Sequence, residues 1–194
     1  MRLILASASP RRAELLTNAG FTFDVQPADV DETPLWDEPP ADYALRVARD
    51  KARLIQAATP GTGSLILAAD TVVVARDRIL GKPADAAESR AMLKMLSGEV
   101  HEVHTGVVIL GDRAESAEVV TSRVRFVRLS DREIEWYVAS GEPEGKAGAY
   151  AIQGRAARFI DWIDGSWSNI VGLPVAAVYR LLKDRGVVCS DLNP

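Results

Sequence analysis

One strand-like run constrains the fold of this chain more than any other stretch. Residues 64–74 read SLILAADTVVV, and all but Ser64 and Thr71 would suit a strand covered on both faces if Asp70 were apolar. An ionised carboxylate is costly to bury without a partner. The run therefore predicts a central strand on which Asp70 either has a cationic partner or faces a polar cleft. A structural pair with an arginine, or hydrogen bonds from backbone N–H groups, is the plainer alternative.

A turn follows this strand and is expected to bring a lysine back towards it. Residues 75–78 are turn-like, and Gly81, Lys82 and Pro83 come directly afterwards. A hairpin at this point would return Lys82 towards the middle of the sheet.

Composition excludes several classes of function. The chain has 194 residues, a hydrophobic fraction of 47% and a net charge of −4, with no block of Lys or Arg. These values suit one domain or two small lobes and indicate no nucleic-acid-binding surface. The single cysteine, Cys189, allows no internal disulfide, which fits a reducing compartment. The apolar residues 3–6 are too short for a signal peptide, and no run approaches the length of a membrane span.

Predicted strands and helices alternate along the chain, with hairpins between some of the strands. This order predicts an α/β protein with a mixed twisted sheet and helices on both faces. Asp164 and Gly165 give a further hairpin signal. The predicted helices cover residues 10–18, 40–57, 85–96, 131–140 and 174–185, and the predicted strands cover 3–6, 21–25, 64–74, 103–109, 120–129 and 159–163.

The first strand leads into a segment with the residues of an anion site. Ser9 suits the N-cap and Pro10 the first turn of a helix. Arg11 and Arg12 follow, although the partial positive charge of a helix N-terminus disfavours cations there. A bound phosphate would remove the conflict, because Ser7, Ser9 and two guanidinium groups would form a cradle. Two solvated surface arginines are the alternative, since exposed like charges cost little in water.

Residues 28–34 form a carboxylate-rich loop that contains Asp31 and Glu32. Clustered carboxylates without Cys or His suit a hard divalent cation such as Mg²⁺. An ordinary solvated loop is the alternative, and it is the interpretation for Asp37 and Glu38.

Lys51 lies in the middle of the apolar face of the helix predicted over residues 40–57. A lysine there must extend to solvent, find a buried acid or meet a ligand anion. Taken together with Asp70, Arg12 and Lys82, the ligand anion is favoured. The residues expected to form this apolar face are Ala44, Val47, Ala48, Leu54 and Ile55.

Two further segments contain polar residues of interest. Residues 145–154 are small and glycine-rich, so their backbone could approach a ligand closely, and Gln153 could read the edge of a base. A simple connection is the alternative. His101 and His104 are three residues apart on a predicted strand, so they face opposite sides and cannot share a metal ion.

In this order the segments resemble those of the Maf family of nucleotide pyrophosphatases. The resemblance implies an ITPase-like fold with two lobes around a cleft, as a single Maf-type domain over residues 1–194. It also implies a cytoplasmic enzyme, often a homodimer, that converts a nucleoside triphosphate to the monophosphate and pyrophosphate. The segments that carry it are residues 5–12, Asp31-Glu32, Lys51, residues 69–73, Gly81-Lys82-Pro83 and residues 150–154.

The resemblance also implies a substrate and a set of roles. Within the family the positions of Arg12, Thr71 and Gln153 mark the branch that acts on dTTP and UTP. Asp70 is assigned as general base or as a holder of metal-bound water, and the sequence leaves both assignments open. The remaining assignments are Glu32 with Asp70 as ligands of Mg²⁺ or Mn²⁺, Lys51, Lys82, Arg11 and Arg12 as neutralisers of phosphate charge, and Ser7 and Ser9 as hydrogen-bond donors.

Two alternatives to this function stay open at the level of sequence. One is a non-enzymatic nucleotide-binding inhibitor of septum formation, because family members are linked to arrest of cell division. A pure binder of triphosphate would have no use for Asp70 and Glu32 unless they held a metal. The other is a pyrophosphatase mainly for modified nucleotides. The enzyme is expected to have nucleoside triphosphates as partners, with no nucleic acid and no membrane, whereas the inhibitor would bind nucleotide or a division protein.

Overall fold

A computed structural model describes residues 2–61, 63–112 and 114–187, and Cys189 lies outside them. Within these ranges the chain forms seven strands and six α-helices, none of the helices long and apolar enough to cross a membrane. The strands are β1 (Leu3–Leu5), β2 (Asp24–Val25), β3 (Leu65–Ala75), β4 (Arg78–Leu80), β5 (Val100–Leu110), β6 (Glu115–Phe126) and β7 (Ile160–Asp164). The helices are α1 (Pro10–Asn18), α2 (Pro40–Ala58), α3 (Ala86–Leu96), α4 (Asp131–Val138), α5 (Trp167–Val171) and α6 (Val175–Lys183).

The described strands belong to one mixed sheet, in the order β2-β1-β3-β5-β6-β7, with β4 paired to β3. β1 runs parallel to β2 and β3, and Leu5 lies opposite Val25 and Leu67. β4 runs antiparallel to β3, with Leu80 opposite Val73, and β7 runs antiparallel to β6. The mixed sheet and the hairpin after β3 are therefore confirmed.

The chain divides into two compact units. Of the described residues, the first unit contains 2–70, 105–120 and 172–187, and the second contains 71–104 and 121–171. β3, β5 and β6 are each divided between the units by these bounds. The boundary of a single domain over residues 1–194 stays a prediction.

The core of the first unit lies on both faces of its strands. Because successive side chains of a strand point to opposite faces, Ile4 and Ile66 face one side and their neighbours the other. On the first side pack Ala48, Ala52 and Ile55 of α2. On the second side Leu16 of α1 and residues of α6 pack against Leu3, Leu5, Leu65 and Leu67. Helices therefore cover both faces of this part of the sheet, as predicted.

The core of the second unit is rich in aromatic side chains. The ring centroid of Phe126 in β6 lies 5.0 Å from that of Tyr150 and 6.3 Å from that of Phe159. The ring centroids of Tyr137 in α4 and Phe159 are 5.4 Å apart. α4 begins with a complete capping box, in which Ser130 and Glu133 satisfy each other's backbone N–H groups, as predicted from sequence. These rings fix the segment on both sides of Gln153.

Several local predictions are wrong. Leu54 is 44% exposed, because it lies about 100° around α2 from Ile55, at the edge of the buried face. Asp164 and Gly165 do not start a hairpin. Gly165 leads into α5, which the sequence analysis missed, and Ser166 there is tied back to β6 by a bond from its N–H to Ser122 Oγ at 3.0 Å.

Gly106 of β5 lets the backbone of α2 lie directly against the sheet. A Cβ at this position would lie 2.6 Å from the Ala44 carbonyl and from Leu45 Cα. We expect Gly106→Ala to lower the free energy of unfolding by about 1–3 kcal/mol, because the backbone of α2 has to move to make room for the Cβ. Urea unfolding measures this. Gly81→Ala is the matched control, since a Cβ there meets nothing within 4 Å. Equal unfolding midpoints for the two variants would contradict the close contact.

Candidate active site

The buried ammonium of Lys51 is the centre of the candidate site. Its Nζ lies 2.7 Å from Asp70 Oδ1 and 2.6 Å from Glu32 Oε1. Lys51 and Asp70 are 6% and 7% exposed, whereas the Glu32 side chain is 39% exposed. Of the three alternatives for Lys51, the structure has the buried acid, and the cationic partner of Asp70 is this lysine. Whether Lys51 also meets a phosphate stays a prediction.

The local folding of α2 and β3 explains this meeting. Asp70 follows Ile66 and Ala68 at every second position of β3, so it points to the face covered by α2. Lys51 adjoins Ala48 and Ala52 on the buried face of α2. Each charged residue continues an apolar pattern, so the packing of those patterns brings the two charges together.

Tyr43 of α2 anchors the loop that carries Glu32, and the sequence analysis missed it. Its hydroxyl donates to the backbone carbonyl of Glu32 at 2.7 Å. Burial raises the pKa of Tyr43 to about 12, and the charges of Asp70 and Glu32 add to that effect. The hydroxyl therefore keeps its proton and remains a donor. The available signal was a hydroxyl-bearing aromatic residue in the first turns of the helix that follows the acidic loop.

Two other acids near Glu32 bind neighbouring residues instead of Lys51. Asp31 Oδ1 accepts a hydrogen bond from the Thr33 N–H at 2.9 Å, and hydrogen bonds from the Thr33 side chain and then from its backbone lower the pKa of Asp31. Glu38 Oε1 lies 2.6 Å from Arg46 Nε of α2. Among these acids, Glu32 is the one bonded to Lys51.

Arg12 lies beside the same carboxylates. Its Nε donates to the Gly172 carbonyl at 2.8 Å and its Nη1 to Ser7 Oγ at 3.3 Å. Burial lowers the pKa of Arg12, while the charges of Asp70 and Glu32 act in the opposite direction. The structure therefore brings Ser7, Arg12, Glu32, Lys51 and Asp70 together.

Arg11 and Ser9 are the other residues of the predicted phosphate cradle at the start of α1. Burial lowers the pKa of Arg11, which is half-buried. Ser9 is the N-cap of α1 as predicted, but its side chain makes no capping hydrogen bond, and its N–H donates to Ser7 Oγ at 3.2 Å.

Three predicted site residues belong to the second unit. Thr71 is half-buried on β3, where it follows Asp70 and so faces the opposite side of the strand. Lys82 is exposed just beyond β4, in a hairpin whose register, if continued, sets it level with Thr71. Gln153 is exposed in a turn.

The donor set around Lys51 fits a divalent cation. Two carboxylate oxygens converge on one cation, the Lys51 ammonium. Mg²⁺ is typically held by one or two carboxylates, with water and substrate phosphate completing its shell. The described residues contain no group of three or more His, Cys, Asp or Glu that could hold a metal ion. His101 and His104 have separate partners, Tyr150 and Thr121.

Comparison with known proteins gives the family. A family model described as Maf-like protein matches residues 2–185. The chain belongs to the Maf family. Among its Maf relatives, a protein named dTTP/UTP pyrophosphatase from Anaeromyxobacter dehalogenans is 52% identical over 189 residues, which cover 95% of this chain and 94% of that protein. One of the same name from Koribacter versatilis is 50% identical over 188 residues, covering 97% and 96% of the two chains.

A solved structure is also similar to this Maf chain, at a low level. It is a nucleoside-triphosphatase / dITP/XTP pyrophosphatase from Mycobacterium abscessus, with a TM-score of 0.39 and 19% identity over 66% of this chain and 76% of that chain.

The Lys51–Asp70 pair predicts a large stability change. Lys51→Met leaves the buried Asp70 carboxylate without its nearest cation, so we expect a loss of about 3–5 kcal/mol in the free energy of unfolding. Denaturant unfolding without nucleotide measures it. Lys94→Met is the matched control, because Lys94 pairs with Asp131 on the surface and exposed pairs contribute about 0–1 kcal/mol. A Lys51→Met variant as stable as the control would mean that the ammonium is reserved for a ligand instead.

Proposed function

We propose that this Maf protein hydrolyses dTTP and UTP to the nucleoside monophosphate and pyrophosphate. The observation that carries the proposal is the convergence of Asp70 and Glu32 on one buried cation beside Arg12. Such a cluster provides what phosphoryl transfer needs, namely positioned carboxylates and counter-charges for phosphate. Relatives about half identical over nearly the whole chain, which are named dTTP/UTP pyrophosphatases, support the choice of substrate.

In the proposed reaction a water molecule attacks the α-phosphorus in line with the α–β anhydride bond. The new P–O bond forms as the anhydride bond breaks, and pyrophosphate leaves with the bonding electrons. Asp70 accepts the proton of the water or helps to orient it. Most of the rate gain comes from position and charge. The residues proposed to bind the phosphates are Lys51, Lys82, Arg11 and Arg12 through charge, and Ser7 and Ser9 through their hydroxyl groups.

We propose Glu32 and Asp70 as the residues that hold Mg²⁺ or Mn²⁺. Glu32 is the more accessible of the two, so it can meet a cation that arrives with the nucleotide. A bound divalent cation supplies neutralisation of phosphate charge and a lower pKa for a bound water molecule.

We propose that Gln153, with Arg12 and Thr71, selects the base. A glutamine amide can pair with the 4-oxo and N3–H edge of uracil or thymine, whereas the 4-amino edge of cytosine requires the amide to turn over. We further propose a cytoplasmic enzyme, since nucleoside triphosphates are made and used there. A homodimer is also expected, and sedimentation of the purified protein would test it.

The products identify the bond that is cleaved. We expect dTTP and UTP to give monophosphate and pyrophosphate, with activity abolished by EDTA and restored by Mg²⁺ or Mn²⁺. Chromatography of the nucleotide products together with separate assays of phosphate and pyrophosphate checks this. Orthophosphate as the first product would overturn the assigned bond, and activity resistant to EDTA would overturn the metal. Tight nucleotide binding without any product would favour a non-enzymatic binding protein.

Asp70→Asn separates a catalytic from a structural role. The amide keeps the shape of the side chain but cannot accept a proton, so kcat should fall by about 10²–10⁴-fold. The exposed Asp131→Asn is the matched control and should keep full activity. Loss of stability with unchanged specific activity would make Asp70 merely structural. Calorimetric measurement of Mn²⁺ binding to Asp70→Asn distinguishes a general base from a metal ligand. If Asp70 is the base the variant still binds Mn²⁺, and if Asp70 is a ligand the binding is lost.

A further inference from the structure

The exposed side chain of Gln153 is carried by a turn with buried residues before it. The turn is closed by a hydrogen bond from the Gly154 N–H to the Ala151 carbonyl at 3.0 Å. Ala151 and Ile152 are 6% and 7% exposed, so they fasten the start of the turn to the core of the second unit. The amide proposed to pair with the edge of the base therefore lies on a turn whose backbone is held from inside the protein.

The carboxylate of Glu142 holds the far end of this turn. Its Oε2 accepts the Arg155 N–H at 3.0 Å, and its Oε1 accepts the Ala156 N–H at 3.4 Å. Its Oε1 also accepts a hydrogen bond from the Tyr137 hydroxyl at 2.8 Å. Three donors therefore converge on one carboxylate, which ties the turn to the helix that carries Tyr137.

Tyr137 holds the near end of the same turn. Its hydroxyl oxygen accepts the Ala151 N–H at 3.0 Å while its proton goes to Glu142. Burial raises the pKa of Tyr137, so the hydroxyl keeps the proton that this arrangement requires. Tyr150, the residue before Ala151, has a separate partner in His101, whose Nε2 lies 2.9 Å from the Tyr150 hydroxyl.

Gly154 shows how closely the carboxylate and the turn are fitted. A Cβ on this residue would lie 2.5 Å from Glu142 Oε1 and 2.6 Å from Oε2. Any larger residue would have to displace Glu142, and with it the bonds to Arg155 and Ala156. The glycine is therefore matched to the carboxylate beneath it.

We propose that Glu142 and Tyr137, the Glu142–Tyr137 clamp, are positioning residues for selection of the nucleobase through Gln153. This inference rests on the proposed function, in which Gln153 reads the 4-oxo edge. A hydrogen bond to the edge of a base needs the Gln153 amide at a set distance and direction, so the backbone that carries this side chain must be held in place. Support of this kind keeps a recognition group within the narrow range of positions that a directional hydrogen bond accepts.

The test compares kcat/KM for UTP and CTP in single and double variants. Tyr137→Phe removes the hydroxyl, and Glu142→Gln replaces one accepting oxygen by an amide NH2 group, a donor, with little change of shape. We expect each to lower the UTP/CTP ratio of kcat/KM by about 2- to 12-fold, the equivalent of one neutral hydrogen bond. The loss should arise mainly from a higher KM for UTP. Glu144→Gln, at an exposed acid of the same connection, is the control and should leave the ratio unchanged.

The double variant separates positioning from general damage. If the clamp acts through Gln153, Tyr137→Phe should have no further effect on the ratio in a Gln153→Ala background. An undiminished effect in that background would overturn the inference. If Tyr137→Phe does not fold, the isosteric Glu142→Gln carries the same cycle, with folding checked by circular dichroism.

The outcomes for the two proposals are distinguishable. A Gln153→Ala ratio equal to that of the unmodified protein would overturn base reading by Gln153, and the clamp inference with it. A ratio that falls in Gln153→Ala but is unchanged in Glu142→Gln and Tyr137→Phe would overturn the clamp and leave the proposed function intact.

Discussion

The buried ion pair between Lys51 and Asp70 is the interaction on which the candidate site depends. Asp70 interrupts an apolar strand and Lys51 an apolar helix face, so each would be costly to bury alone. At 2.7 Å each supplies the counter-charge of the other. The geometry of the site is therefore set by the packing of α2 on the sheet, including the close approach of its backbone at Gly106. A shift of α2 on the sheet would therefore separate Lys51 from Asp70 and leave two buried charges unpaired, a larger cost than that of a cavity alone.

The balance of charge around this pair bears on what the site can bind. Lys51 and Arg12 face Asp70 and Glu32, so the cluster is formally neutral. A triphosphate alone would meet two carboxylates, and a divalent cation alone would meet two fixed positive groups. A nucleotide that brings its own cation offers both charges at once. If the cluster binds the nucleotide as proposed, the metal–nucleotide complex matches its charges better than either component alone.

The sequence predicts the elements whose patterns are long and the residues that break those patterns. α2 and β3 were predicted almost to their ends, and Lys51 and Asp70 were singled out because each is a charge within an apolar run. Their pairing could not be predicted, because it depends on the alignment of a helix against a strand. The same applies to Tyr43, whose bond to the Glu32 carbonyl depends on the path of a loop. Leu54 shows the converse error, since a helical wheel gives a direction but not the width of the buried face.

The two groups of residues solve different physical problems. Attraction between charges falls slowly with distance, so the groups proposed to neutralise phosphate tolerate small shifts in position. Without a ligand these charges need partners, and the first unit supplies them as the ion pairs around Lys51. A neutral hydrogen bond weakens steeply with distance and angle, so a base-reading amide needs a rigid support instead. The turn of Gln153 has that support in Glu142 and Tyr137. Glu142 follows a helix and reads in sequence as an ordinary surface acid. Its partners Arg155 and Ala156 lie in a later segment, so only the folded chain shows that it holds the turn of Gln153.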